Sequence, residues 1–229
     1  MTMQTSRRVA AAAMAGAAAL AIAGFTVLGS VFEYPQILQE PTADILLLYR
    51  QNQTAVVSWF LVLVAGAVLL APIGLALGRT AGGRLGAWTA GIAVAATAVQ
   101  AVGLSRWVLL VPGISAAATD PARTADAHRR FEQLHFWLGE MLGETVGYAL
   151  TATFTVLVVR AIVASRRLAW LGYASAALIA TGVLIPLGLT AASLTNFAGY
   201  VAWCVWLLAM SVAVWRGVPS AAKAGVEVA

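Results

Sequence analysis

Residues 138–148 read LGEMLGETVGY, and they lie inside an otherwise apolar stretch of more than twenty residues at about 132–159. A run of that length can cross the hydrocarbon core of a bilayer as a helix. Two carboxylates, Glu140 and Glu144, are nevertheless placed within it, one turn apart. The rest of the chain supports the membrane reading. Of 229 residues, 61% are hydrophobic and only 10% charged, and the mean hydropathy of +0.87 lies outside the range of soluble domains.

Comparable apolar runs recur at about 9–31, 54–77, 85–111, 168–190 and 194–215, which makes six with the run at 132–159. Backbone N–H and C=O groups find no water in hydrocarbon, so each run must satisfy them internally as a helix, and none alternates with the two-residue period of a barrel strand. The expected fold is all-α: a polytopic six-transmembrane-helix bundle in a single domain, 1–217, followed by a disordered tail over 218–229. The first run has the basic start of a secretory signal, but it exceeds the usual apolar core of about 7–15 residues and no small-residue cleavage site follows, so it is expected to be retained.

The net charge of +5 does not point to nucleic acid, because the fourteen basic residues are scattered between apolar blocks without a basic stripe. They sort by topology instead. Arg7, Arg8, Arg79, Arg84, Arg160, Arg166, Arg167, Arg216 and Lys223 fall on one side, and Arg50, Arg123, Arg129 and Arg130 on the other. Positive-inside orientation then makes both termini cytoplasmic. Arg106 is left over, inside the third run.

Two outer loops carry content. In the first, Thr42 is expected to cap a short helix whose Ile45, Leu46, Leu48 and Tyr49 lie on the membrane surface or plug the bundle mouth, a candidate lid. In the second, Thr119 or Asp120 before Pro121 marks a helix start, so the fourth helix is expected to begin well outside the membrane and run from about 121 to 163.

Projected at 3.6 residues per turn, the fourth helix aligns Gly139, Gly143 and Gly147 on one strip, a small-xxx-small pattern for close helix approach or for association between copies. Beside it fall Trp137, Glu140, Met141, Glu144, Tyr148, Thr151 and Thr155. At about 1.5 Å per residue, Glu140 and Glu144 lie about 6 and 12 Å deep, and Arg106 and Gln100 of the third helix about 8 and 16 Å. A charge at the bilayer centre costs at least about 2.5 kcal/mol, so Arg106 is expected to pair with one of the two glutamates. Asn196, Tyr200 and Trp203 of the sixth helix, Trp59 of the second, and Glu33 and Tyr34 at the end of the first lie at compatible or shallower depths. Together they define a polar pocket open toward the outer leaflet.

The segments FEYPQILQEPTADIL, LSRWVLLVP, LGEMLGETVGY and AWCVWLL together resemble, in matching order, a bacterial multi-pass membrane family known only as a domain of unknown function, number four-three-eight-six. The resemblance implies a small polytopic protein of the bacterial cytoplasmic membrane. It implies no activity and no catalytic residues.

Chemistry must therefore be argued from the residues. His128, Glu132 and His135 share one helix face, but EQLH is half of a di-iron carboxylate signature and the chain has no second E-x-x-H and no third histidine, so neither a metal site nor a cofactor is expected. One arginine can neutralise one carboxylate, which leaves a second buried acid to be protonated and to act as a general acid or a proton-coupling group. The leading expectation is a membrane enzyme for a lipophilic small molecule or lipid, in its most concrete form a proton-initiated isoprenoid cyclase. Glu144 is its acid, Glu140 the partner of that acid or the base that quenches the cation, and Arg106 the counter-ion that holds one carboxylate ionised. Gln100, Asn196, Trp137, Tyr148, Tyr200, Trp203, Trp59 and Glu33 line the substrate pocket. The alternatives are a proton-coupled transporter, disfavoured by the lack of matched broken helices, a structural or regulatory subunit, and a buried Arg–Glu lock that fixes register without chemistry.

Overall fold

A computed structural model describes residues 3–217 of the chain, and the expected tail over 218–229 lies outside the described residues. Six helical segments are long and apolar enough to cross a membrane, at 7–32, 53–81, 83–117, 124–162, 166–187 and 191–216, and no strand occurs among the described residues. This is a multi-pass membrane protein.

The first segment is α1 (Met3–Phe32), and a short helix α2 (Thr42–Gln51) lies across the bundle end after it. The second segment is divided into α3 (Gln53–Val68) and α4 (Leu70–Ala81). Pro72 explains the break, since it offers no N–H to the carbonyl of Val68. The third comprises α5 (Gly83–Leu109) and the short α6 (Val111–Ala117). The fourth begins as α7 (Thr124–Leu134), widens into a π-helical segment over His135–Val146, and continues as α8 (Gly147–Ile162). The fifth is α9 (Arg166–Ala180), which tightens into a 3-10 turn over Thr181–Leu187 containing Pro186, and the sixth is α10 (Thr190–Arg216).

The six segments close into a ring in chain order: α1 packs on α3 and α4, these on α5, α5 on the π segment and α8, α8 on α9, α9 on α10, and α10 back on α1. Two apolar cores fill the ring. One, around Met14, Ile73, Phe154, Trp206 and Met210, occupies the half holding the N-terminus. The other, around Phe32, Tyr49, Phe60, Trp107 and Phe131, is mainly aromatic and lies under α2 and α7. Its rings meet edge-to-face or stacked, with Trp107 against Phe60 at 5.2 Å and Phe32 against Trp107 at 5.1 Å.

The outer elements settle two expectations. Ile45, Leu46 and Tyr49 of α2 are buried in the aromatic core, so α2 plugs the bundle end. The Tyr49 hydroxyl donates to the carbonyl of Trp107 at 2.9 Å, and burial pushes its pKa up to about 12, which keeps it a neutral donor. Thr42 does not cap α2, because Pro41 stands at that position; its hydroxyl instead donates to Glu132 of α7 at 3.1 Å. In the second loop Pro121 lies in a turn rather than in the first helical position. The Asp120 carboxylate accepts from the Ala122 N–H at 3.0 Å and from Arg123 at 2.9 Å, and α7 begins at Thr124.

Candidate functional site

Gly103 and Gly143 set the site's geometry. A Cβ built on Gly103 would lie 2.6 Å from the Gly143 Cα, so α5 and the π segment meet backbone to backbone. Gly139 supplies the next contact: its Cβ would lie 2.7 Å from Nη2 of Arg106, whose guanidinium therefore rests on bare glycine backbone. The glycine strip read from the sequence is thus used inside the chain, against α5.

The helix that carries it is not an α-helix, however. Over His135–Val146 each turn takes in an extra residue, so the projection at 3.6 residues per turn does not hold through the acids. Gly143 also lets the segment's own Leu138 carbonyl approach, its Cβ position lying 2.9 Å from that oxygen.

Arg106 is buried at 4% exposure, but the expected ion pair is absent. The ion pairs among the described residues are Arg123–Asp120, Arg129–Asp126, Arg130–Asp126 and a His135–Glu140 approach of 3.6 Å. Arg106 joins none of them. Its Nη1 donates to the Gly103 carbonyl at 2.6 Å, its own helix's last turn, and the guanidinium lies 5.2 Å from the Trp107 ring centre. Nη2 has no partner. The cation is therefore held by its own helix and by glycine, out of contact with both glutamates, although Tyr34, Tyr148, Glu140 and Glu144 all stand within its electrostatic reach.

Around it gathers a layer of polar groups between the two apolar cores. The π segment brings His135, with both ring nitrogens buried and without hydrogen bonds, and Glu144, with Oε1 buried and unpartnered. Glu140 is more open, its side chain 34% exposed, and faces His135. Tyr34 follows α1 and packs edge-on to Phe60 at 5.3 Å. Tyr148 of α8 and Tyr200 of α10 meet at 5.7 Å, and the Tyr200–Trp203 pair continues the wall at 6.2 Å. Such groups are rare in native interiors and costly when left unpartnered, about 1–3 kcal/mol each and more when charged.

Other residues named from the sequence have structural partners. Gln100 donates to the Thr151 hydroxyl at 2.6 Å, tying α5 to α8 at the floor of the layer. Asn196 is buried and donates to the Ile179 carbonyl at 2.7 Å, where α9 gives way to the 3-10 turn. Trp203 donates to the Thr155 hydroxyl at 2.8 Å. Three stand apart from the polar layer. Trp137 is 62% exposed and turned outward beside Phe136, Glu33 is exposed in a left-handed conformation at φ 51°, and Trp59 packs on the aromatic core.

His135 and Tyr34 belong to the site more closely than the sequence suggested. His135 was weighed only as half of a metal motif, and its i, i+5 relation to Glu140 becomes a face-to-face one only in a π turn. Among the described residues no group of three His, Cys, Asp or Glu side chains could hold a metal ion.

No curated protein and no solved structure matches the chain. The family model for Domain of unknown function (DUF4386) matches residues 9–211, almost the whole ring of helices, and the chain belongs to that family.

Proposed function

We propose that this membrane protein is an enzyme performing acid/base chemistry on a lipophilic substrate, with Glu144 as the acid, Glu140 as the base, and Arg106 as the fixed positive charge of the pocket. One observation carries the reading: Arg106 Nη2, Glu144 Oε1 and both nitrogens of His135 are buried without hydrogen bonds, and Glu144 and His135 stand within the electrostatic reach of Arg106. Folding alone gives no reason to gather them, whereas a reacting ligand does.

The most concrete form is proton-initiated isoprenoid cyclisation. The Glu144 carboxyl proton adds to an alkene carbon and leaves a tertiary cation. An internal alkene attacks it to form the ring bond, and a proton lost from the last cation passes to the Glu140 carboxylate. Proton return from Glu140 to Glu144 closes the cycle, and the product is an isomer of the substrate, so no co-reactant is needed. The aromatic rings of Tyr148 and Tyr200, which meet at 5.7 Å beside Glu144 in the chain's fourth and sixth segments, are the groups that would stabilise the cation.

The test compares lipid extracts of membranes expressing the wild type and Glu144→Gln, searched by chromatography and mass spectrometry for pairs of equal mass and different retention. Normal expression with loss of one isomer is the expected result. Identical profiles overturn the reading. Misfolding of Glu144→Gln that is repaired by adding Arg106→Gln would instead make the cluster a structural lock.

A second reading, proton-coupled transport, gains one observation. The second and fifth segments are both broken at a proline, and the sequence there repeats as Leu70-Ala71-Pro72-Ile73-Gly74-Leu75 and Leu184-Ile185-Pro186-Leu187-Gly188-Leu189. Paired broken helices in two halves of a chain are a transporter feature. Counterflow in proteoliposomes that Glu144→Gln abolishes would favour it over catalysis.

A further inference from the structure

Among the described residues, no carboxylate is in contact with the positive charge at the centre of the site. Arg106 is 4% exposed, and only Nη1 of its guanidinium is engaged terminally, by its own helix. Nη2 has no hydrogen bond and lies against the bare backbone of Gly139. His135, 11% exposed at its side chain, stands within electrostatic reach of the guanidinium, and neither of its ring nitrogens is hydrogen-bonded, so its one N–H is a further donor. A buried guanidinium without a counter-anion is strongly disfavoured in hydrocarbon, and the carboxylates among the described residues do not supply one at contact distance.

We infer that Arg106 is the receptor for the monoanionic head of a single amphiphile, a carboxylate in the first instance, whose tail lies in the bilayer.

Charge and access both favour this class. A monoanionic head adds one negative charge beside Glu140 and Glu144, whereas a dianionic head would add two against the same single arginine. A guanidinium binds a planar carboxylate through parallel N–H donors better than a lysine could. Access is lateral. Glu140 is the most open member of the cluster, with Phe136 and Trp137 exposed to lipid immediately before it in the same segment, so a head entering past Glu140 leaves its chain among apolar side chains. The Trp107 ring and the Gly139 backbone both lie against the guanidinium. The inference rests on the preceding reading in taking the same pocket, and it names that pocket's substrate class.

The experiment measures binding to the full-length protein purified in a neutral detergent. Three probes are compared by displacement of a fluorescent fatty acid: a sixteen-carbon carboxylate, the alcohol of equal chain length, and phosphatidylglycerol. The carboxylate is expected to bind at least about tenfold tighter than the alcohol. Arg106→Gln should remove that preference, and Arg106→Lys should recover part of it. Should Arg106→Gln fail to fold, Gly139→Ala, which crowds Nη2 and keeps the charge, is expected to weaken carboxylate binding severalfold. Equal binding of carboxylate and alcohol, or a preference unchanged in both Arg106→Gln and Gly139→Ala, overturns the inference. Phosphatidylglycerol competing as well as the carboxylate upholds the monoanion and identifies a membrane lipid as its source.

Failure here and failure of the proposed function are separable. Loss of an isomer in Glu144→Gln without an Arg106-dependent head preference would leave the enzyme reading standing and remove this one. Arg106-dependent binding with unchanged lipid profiles would do the reverse.

Discussion

Replacing Gly103 by alanine perturbs the contact that places every member of the site. The added Cβ would lie 2.6 Å from the Gly143 Cα and 3.1 Å from the Leu138 carbonyl oxygen, and ordinary contact begins at 3.4 Å, a shortfall of 0.8 Å (3.4 − 2.6) on the first atom. Both atoms are backbone, so no rotamer change relieves the clash, and α5 must move away from the π segment. Overpacking of this kind costs about 1–3 kcal/mol, partly offset by the gain of about 1 kcal/mol from placing alanine where glycine stood in a helix. Gly91→Ala is the internal control: it lies in the same helix with nothing within 4 Å of its Cβ, and keeps only the gain. Thermal unfolding of the two variants in a neutral detergent measures the difference. At about 2–4 °C per kcal/mol for a chain of this size, Gly103→Ala should melt several degrees below Gly91→Ala. It should also lose the carboxylate preference, because Arg106 donates to the carbonyl of that same glycine. Gly103→Ala melting at or above Gly91→Ala would refute the backbone contact and with it the placement of Arg106.

Tyr49→Phe removes the donor to the Trp107 carbonyl and leaves a buried acceptor unmade, so a loss of about 1–3 kcal/mol is expected, read by thermal unfolding. Trp137→Ala removes a lipid-facing ring and should leave unfolding nearly unchanged, whereas Trp203→Phe, which strips the Thr155 hydroxyl of its donor, should lower it measurably. Asp120 is held below its ordinary pKa of 3.8, first by the Ala122 N–H and then by Arg123, so its contribution is complete above that value and is lost as pH falls through the lowered folded value. A stability gap between wild type and Asp120→Asn should therefore be present at pH 7 and narrow in acid; a gap that widens in acid would contradict the turn's hydrogen bonds.

Segment number and type were legible because the bilayer leaves the backbone one solution. Six apolar runs had to become six helices, and the segment ends agree within a few residues except where helices project beyond the membrane, as α7 does. Ile45, Leu46, Leu48 and Tyr49 made legible that α2 either lies on the membrane surface or plugs the bundle, and the burial of Ile45, Leu46 and Tyr49 decides for the plug. The internal use of the glycine strip was half legible: its spacing announced close approach, but only the position of Gly103 shows that the partner is α5.

The site was legible in membership more than in arrangement. Glu140, Glu144 and Arg106 stood out because charge is expensive in hydrocarbon, and Tyr148 and Tyr200 lay at matching depth. Depth along a helix says nothing of azimuth, so Trp137, read as lining the pocket, turns to lipid, and Glu33 stays outside. The Arg106 pairing failed for a related reason. Economy of charge predicts that an arginine finds a carboxylate, but Nη1 finds a closer acceptor in the Gly103 carbonyl one turn back, and the glycine surface of Gly139 fixes the group there.

By itself, then, the sequence determined the solvent, the number of helices and the set of charges that must be accounted for inside them, since these follow from composition and transfer energies that act residue by residue. Only the tertiary structure decided which charges meet. The glycine-to-glycine crossing of α5 joins residues more than thirty apart in the chain, and with the π turn over His135–Val146 it leaves LGEMLGETVGY beside an arginine with one hand free.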